Sequence, residues 1–427
     1  MSEKHSSPNP WRHLASSLGN LRERHRDRHR PSGFGFVFAD QVDYLHPERW
    51  DTVTSNASLF LRREVLRIIE THGPENIQPR YAMIFRDAQP VAAIAAQVVT
   101  VAGKSLRRDQ QTPRSARTPS LLRRALGPAA RTASNRLRER ILVAGNLLSW
   151  GFHGVAFVPG EDPTQLWPGV AEALYRIRRA ERLAGQTDFI MVKDLTPRQS
   201  GLEVLRRFSY RPLETEPNMV LDLAPAWRSY EDYLGALDAK YRRNAKDQMK
   251  KLTAAGCVVE PLADLKPCAA RLHELYLSVH ANASVRLVTL PAAYLPGLAD
   301  AVGENFRCTI VRRGTDILGF VTSLRDGDTA IAYYIGFDRG AATAEGLPIY
   351  LRLLHTTIND AIAWRCQRLS LGRTALEPKS ALGARPEPMS VWMRHRVPAM
   401  NWMLRALLGA VPHAEAPLRR PFKTINS

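Results

Sequence analysis

YEDYLGALDAKYRRNAKDQMKKLTAAG, residues 230–256, is the stretch on which the fold reading turns. Tyr230, Tyr233, Leu237, Tyr241, Met249 and Leu252 recur at helical spacing and Gly256 supplies a stop, so the pattern predicts one long amphipathic helix. The other face is cationic: from Lys240 to Leu252 there are six basic side chains and one acidic. Such a face can hold nucleic acid, hold another anion, or simply stay solvated. A DNA-reading helix normally sits in a compact helical domain, behind a turn and a second short helix. Here the neighbours read as strands, which argues against DNA as a partner.

Downstream, CTIVRRGTDILGFVTSLRDGDTAIAYYIGFD (308–338) reads as three strands with tight turns at Arg313–Gly314 and Asp326–Gly327–Asp328. LPIYLRLLHTTINDAIAWRC (347–366) follows as a helix and RLSLG (368–372) as a final buried strand. Upstream, RYAMIFRDAQPVAAIAAQVVTV (80–101) reads as two strands around a turn at Asp87–Pro90. PTQLWPGVAEALYRIRRAERLAG (163–185) is a helix and TDFIMVKDL (187–195) a buried strand; a short helix at 198–208 and the strand MVLDLA (219–224) follow. The same order of elements thus occurs twice. The pattern predicts an α/β (α+β) chain made of two tandem units, each a mixed, largely antiparallel sheet flanked by helices. The expected boundaries are a basic tail over 1–33, a first unit over 34–223 and a second, catalytic unit over 224–400, followed by an extension over 401–427. A basic insert interrupts the first unit at 103–140.

The net charge of +19 is concentrated in few places. Residues 1–33 contribute +4, residues 103–140 contribute +9 and residues 240–252 contribute +5, so the remainder of the 427-residue chain is nearly neutral. Tail and insert can attract RNA or an anionic membrane surface, or serve only solubility. Four scattered cysteines form no CxxC pair, which excludes a zinc cluster or a disulfide framework and suits a reducing cytoplasm. The N-terminus lacks an apolar stretch of signal-peptide length, and no run approaches the ~20 apolar residues that span a bilayer. The expected location is the cytoplasm, with attachment to the inner face of the membrane through the basic segments as a further option.

Paired strands, a helix and a further strand, occurring twice around a Lys/Arg-rich helix, resemble the GNAT acyltransferase superfamily. The likeness is closer to its double-domain FemAB-like and CelD-like branch. YEDYLGALDAKYRRNAKDQMKKL (230–252) resembles that branch's aromatic–x–x–Leu segment followed by Lys–x–Arg–Arg. YYIGFD (333–338) and LSLGRTALEPKSALGA (369–384) resemble its second-domain core, where Pro378–Lys379 stands in place of an aromatic–Lys pair. The likeness covers residues 40 to 400 apart from the insert. It implies a tandem pair of GNAT-like domains and direct transfer of an acyl or aminoacyl group to an amine, without a metal. The Arg/Gln–x–x–Gly–x–Gly/Ala turn of the acyl-CoA enzymes, which cradles pyrophosphate on backbone N–H groups, occurs in neither half. The branch also includes enzymes that draw on aminoacyl-tRNA, so acyl-CoA and aminoacyl-tRNA both stand as donors. The acceptor is a small-molecule, peptide or lipid-linked amine, and tRNA is a further partner. The alternative is a GNAT-like protein without chemistry that binds RNA or an anionic membrane.

No GxSxG, GxxxxGK[ST], HExxH or strand-following GxGxxG occurs, which suits direct transfer. That chemistry needs a held, deprotonated amine and cations or backbone N–H groups for the oxyanion. Lys379, just beyond the strand RLSLG, is the catalytic candidate, and Arg373 at the strand's exit is its partner in holding the donor. Tyr333 and Tyr334 are proton-relay candidates; alternation puts them on opposite faces, so at most one enters the crevice. Asp338 is a candidate base or orienting group, whereas His355, within an apolar helical face, reads as a core histidine. Trp150 and His153 in GNLLSWGFHG (145–154), with Lys193, are substrate candidates in the first half. Lys240, Arg242, Arg243 and Lys246 are expected to line the opening between the two units, beside Lys379, and hold an anionic donor.

Overall fold

The computed structural model describes residues 30–102, 138–281, 287–398, 400–401 and 418–423. The basic tail through residue 29, the insert through residue 137 and most of the C-terminal extension lie outside the described residues. The insert is shorter than its charge suggests, because Arg138–Arg140 already belong to a strand.

The first half runs β1 (Gly35–Ala39), α1 (Pro47–Thr54), α2 (Arg63–His72), β2 (Ile77–Arg86), β3 (Gln89–Ala102), β4 (Arg138–Ala144) and β5 (Val155–Phe157). It continues with α3 (Pro163–Ala180), β6 (Phe189–Leu195), α4 (Val204–Arg207) and β7 (Arg211–Asp222). Two helices, α5 (Tyr230–Ala236) and α6 (Ala239–Ala254), lead into the second half. That half runs β8 (Cys257–Pro261), α7 (Ala269–His280), α8 (Tyr294–Val302), β9 (Phe306–Arg313), β10 (Asp316–Asp326) and β11 (Thr329–Phe337). It closes with α9 (Arg339–Ala344), α10 (Ile349–Ala363), β12 (Arg368–Ser370), α11 (Leu376–Ala381) and β13 (Arg385–His395). With β5 as an addition in the first half and α9 as one in the second, the order strand, two helices, three strands, helix, strand, short helix, strand occurs twice, and the paired strands, helix and further strand within it are the part the sequence predicts.

All thirteen strands join one sheet, in the order β1-β2-β3-β4-β6-β13-β7-β12-β11-β10-β9-β8, with β5 added on β3. Each half donates its last strand to the other: β13 pairs with β6, and β7 pairs with β12. β7 and β13 also pair with each other, antiparallel, down the middle. The units are therefore stitched through backbone hydrogen bonds, not merely apposed. Neighbouring strands are antiparallel except at β4–β6 and β11–β12, the two parallel pairs. Those pairs are short. β11 and β12 stay paired only from Thr329 to Ile331, after which β11 runs on without β12.

Helix α3 forms where the periodicity places it. Asp162 caps it by accepting from the Thr164 N–H, Pro163 occupies the first turn, and Leu166, Val170, Leu174 and Ile177 bury the inner stripe. Each such side chain contributes about 1.5–3 kcal/mol on burial.

Three sequence expectations need correction. The predicted long helix is two, α5 and α6, separated at Leu237–Asp238. Leu237 is extended and bridges to Phe422, while the Asp238 N–H donates to the Pro421 carbonyl and the Lys423 N–H to that of Ala236. A distant segment thus competes for the backbone groups that would have continued the helix. The buried stripe of α6 is Ala245, Gln248 and Leu252, with Met249 exposed. The second correction is β13, which follows RLSLG and lies at the centre of the sheet. Its Pro386 and Pro388 read as strand breakers, but the register shifts between Glu387 and Met389, and a bulge accommodates residues with no N–H to give. Thirdly, β7 begins at Arg211 rather than near Met219, because its exposed first part is held by β13.

Candidate active site

The segment 145–154 leaves β4 and crosses the end of β6. Gly145 has φ 142°, and a Cβ there would lie 2.8 Å from Lys193 Cβ, so only glycine lets the chain cross. The crossing seals a charged cluster at the junction of the halves. Asp194, fully buried and left-handed at φ 57°, takes the Lys193 ammonium, the Gly151 N–H at 3.0 Å and the Arg373 guanidinium at 3.1 Å. Lys193 also donates to the Ser149 carbonyl at 2.7 Å. Burial pushes the Asp194 carboxyl up, but Lys193 and Arg373 outweigh it and hold it below the ordinary range. Burial lowers the Lys193 ammonium.

Trp150 reaches the second half. Its indole N–H donates to Ser370 Oγ at 2.8 Å, and Ser370 Oγ donates to Asn218 Oδ1, which also takes the Gly372 N–H. Gly372, at φ 80°, lies under the Trp150 ring. His153 Nε2 lies 2.8 Å from the Trp150 carbonyl, and burial favours the neutral ring. Phe60 stacks between His153 and Tyr333, with ring centres 4.5 and 5.6 Å away.

Tyr333 and Tyr334 do not alternate. Both contact Thr322 across a bulge where Val321 pairs with Ile335 and Ser323 with Ala332, so Thr322 Oγ1 accepts from the Tyr334 N–H and donates to its carbonyl. The bulge turns both rings to one face, with centres 4.5 Å apart. The Tyr333 hydroxyl lies 2.9 Å from that of Tyr294, and Tyr334 donates to the Leu148 carbonyl. Burial drives both phenols well above their usual pKa, so they are neutral donors rather than bases.

Lys379 is 97 % inaccessible on α11, and burial brings its ammonium down to about 7, with Glu216 opposing the shift. Arg373 reaches Thr215, next to Glu216, so both cations approach the same stretch of β7.

Two cavities lie on opposite faces of the sheet at this point. One, of about 400 Å³, lies between the halves and is lined by Trp150, His153, Ser370, Asp326, Asp328 and Glu387, among others. It occupies the face of Asn218, Val220 and Ser370. The other, of about 410 Å³, is a groove between α6, α10 and α11, with Lys240, Tyr241, His355, Glu377, Pro378 and Arg419 in its wall. It occupies the face of Leu221, Leu369 and Leu371, whose side chains pack under α10. Lys379 itself lines neither cavity, although its neighbours Glu377, Pro378 and Ala381 wall the groove.

The structure therefore joins Trp150, His153, Lys193, Arg373, Tyr333 and Tyr334 into one connected cluster. Of the basic helix, only Lys240 lines the groove beside α11, and the groove lies within the second half, not between the units. Arg242 turns back to the Leu237 carbonyl at 3.0 Å, and Arg243 and Lys246 are exposed outside the groove wall. Asp338 caps α9 by accepting from the Ala341 N–H and lies 3.7 Å from Arg271. His355 is buried, as expected, at 2.9 Å from the Tyr230 hydroxyl. Sequence reading does not single out Asp194, Tyr294 behind Tyr333, or Asn218 and the Asp326–Asp328 turn in the cavity wall. The left-handed backbone at an aspartate is no sequence signal.

Residues 239–380 match the model of the acetyltransferase (GNAT) domain. Among solved structures, FemX is similar at 10% identity and a TM-score of 0.50, over 87% of this chain and 99% of that one. The C-terminal domain of a lysylphosphatidylglycerol synthetase from Agrobacterium fabrum is similar at 13% identity and a TM-score of 0.45, over 85% and 95%. A tandem GNAT protein from clavulanic acid biosynthesis is similar at 12% identity and a TM-score of 0.46, over 86% and 99%. No curated protein matches in sequence. The second half thus carries a GNAT acetyltransferase domain, within a double-domain architecture like that of FemX. Residues 239–380 therefore carry the likeness to the GNAT acetyltransferase domain, and such a domain implies an acyl-CoA-type donor in general. No helix among the described residues is long and apolar enough to cross a membrane.

Proposed function

We propose that the chain transfers an acyl or aminoacyl group directly from acyl-CoA or aminoacyl-tRNA to the nitrogen of an amine. One observation carries this reading: two cavities on opposite faces of the sheet, with Lys379 buried on α11, the helix that walls the groove, at a pKa of about 7. The groove of Lys240 and Arg419 suits the anionic donor. The junction cavity, with Asp326, Asp328 and Glu387 in its wall, suits a cationic amine. Neutral Lys379 takes the proton from the bound ammonium. The freed nitrogen attacks the donor carbonyl, and the resulting oxyanion collapses to the amide with release of the thiol or the tRNA hydroxyl. Trp150 positions the acceptor from the wall of the cavity, and Tyr334 holds the Leu148 carbonyl of the same segment. Attraction of the basic tail and insert to tRNA or to an anionic membrane belongs to the same proposal.

The test is incubation of the full chain with acetyl-CoA or an aminoacyl-tRNA and a panel of amino sugars, peptides and lipid-linked amines. Release of thiol or deacylated tRNA that depends on one acceptor class is expected. No acceptor-dependent release with either donor overturns the reading and favours a binding role.

Lys240→Ala/Arg419→Ala is expected to raise the donor KM about tenfold or more, since a charge-assisted phosphate contact contributes on the order of 1.5–3 kcal/mol. Arg243→Ala/Lys246→Ala, outside the groove, should leave the donor KM within about twofold of wild type, as a change of roughly 0.4 kcal/mol at most requires. Equal effects of the two pairs would place the donor elsewhere.

A further inference from the structure

A third cavity, of about 670 Å³, opens in the first half between α3, the end of α4 and the segment before β1. It is separate from the two cavities of the proposed reaction and shares no wall residue with them. Its wall is dominated by arginines: Arg30, Arg176, Arg179, Arg207 and Arg394. Arg176 is paired with Glu172, which also accepts from the Ser32 N–H. For Arg30, Arg179, Arg207 and Arg394 no carboxylate stands within salt-bridge distance among the described residues. Three guanidiniums converge on one ring: Arg178, Arg179 and Arg394 lie 5.3, 5.9 and 5.8 Å from the centre of Tyr175. Arg178 Nε is buried and has no hydrogen-bond partner among the described residues. Burial and the neighbouring Arg394 lower the affinity of Arg178 for its proton.

Like charges brought this close repel, and the ring's attraction for each cation is only about 0.5–2 kcal/mol. Convergence of this kind is stable when an anion completes it, and guanidinium forks match the oxygens of phosphate bidentately. Pro168, Ala171 and Phe208 give the same cavity an apolar side. The volume falls in the range of small-ligand sites, and a concave pocket encloses a ligand in a way that a membrane or a nucleic-acid backbone does not require.

We infer that this cavity is a binding site for a small phosphate ester, its phosphate or diphosphate on Arg179 and Arg394 and its organic body against Phe208 and Pro168. The site lies against α3 and β13. Because β13 is the strand that the second half donates between β6 and β7, occupancy bears on the joint between the halves.

The experiment is calorimetric titration of the full chain with inorganic phosphate, pyrophosphate and ADP at low salt, alongside sedimentation with phosphatidylglycerol and phosphatidylcholine vesicles. Saturable one-site binding of pyrophosphate or ADP is expected. Arg179→Gln/Arg394→Gln, changes at accessible side chains, should weaken it at least tenfold. Arg179→Lys/Arg394→Lys, which keeps the charge but not the fork, should weaken it less. Lys240→Ala/Arg419→Ala, which strips the donor groove, should leave it intact, so this site stands or falls separately from the proposed reaction. Lys250→Gln/Lys251→Gln controls for loss of charge alone. Absence of saturable binding by phosphate, pyrophosphate and ADP overturns the proposal. So does binding that Arg179→Gln/Arg394→Gln leaves unchanged, or vesicle binding that this pair of changes abolishes but ADP does not displace.

Discussion

Lys379→Met is expected to lower kcat by about 10²- to 10⁴-fold, the usual weight of a positioned acid–base group, while making the protein more stable at neutral pH. The two effects have one cause. Burial brings the Lys379 ammonium down to about 7, whereas in the unfolded chain it titrates near ~10.4. Between those values the unfolded chain binds a proton that the folded chain does not, so this residue's contribution to stability rises with pH across the window. Below about pH 7 the buried lysine costs the fold most. Methionine fills similar volume without the charge, so stability should rise by on the order of a few kcal/mol at pH 6.5 and by little above pH 10. Denaturant midpoints at pH 6.5 and 9.5, with kcat measured on the same samples, check both halves of the expectation. Wild-type kcat should climb with an apparent pKa near 7 as neutral Lys379 forms. Lys379→Arg, which stays protonated, should show no such rise. A methionine variant with wild-type kcat would remove Lys379 from the chemistry.

Asp194→Asn should cost about 3–5 kcal/mol, because it strands the buried Lys193 and Arg373 charges rather than removing a pair. Asparagine tolerates the left-handed backbone at position 194 as well as aspartate does, so the change isolates charge from conformation. Glu345→Gln provides the contrast. It breaks an exposed pair with Arg313, where solvent screens the charges and a far smaller loss is expected. Urea unfolding of both variants gives the comparison. The Asp194 contribution should be present above the unfolded carboxyl pKa and fade as the pH falls below it, since the folded value is depressed. A cost under about 1 kcal/mol would mean that the network is solvated. Activity should fall with stability, because Asp194 holds the Gly151 N–H beside Trp150.

What the chain states locally it states well. The turn at Asp87–Ala88, both residues at positive φ, the capped helix α3, the hairpins of β9 to β11 and the repeated element order follow from periodicity and turn chemistry within windows of a dozen residues. The residue types at the site were legible too: Lys379 after a buried strand, Trp150 and His153 in a glycine-punctuated segment, and Lys193 at the matching strand end. The break at Leu237 was invisible because its cause, Phe422, lies 185 positions away and a two-residue interruption leaves the apolar phase almost unchanged. The shared face of Tyr333 and Tyr334 depends on Thr322 of the neighbouring strand, whose hydroxyl sets the bulge. Charge alone could not say that Lys240 enters a groove while Arg243 and Lys246 face away from it.

The sequence by itself determined which segments become strands and helices, that the plan occurs twice, and where cations and aromatics are concentrated, since these depend on neighbours a few residues apart. Only the tertiary structure decided that each half lends its last strand to the other, that Asp194 gathers Lys193 and Arg373, and that two cavities lie on opposite faces of the sheet. Apart from the contact between the neighbours Lys193 and Asp194, those outcomes rest on long-range pairings, such as Arg373 with Asp194 across 179 positions. Burial, backbone pairing and the desolvation of charge choose among such pairings, and no short window of sequence records the choice.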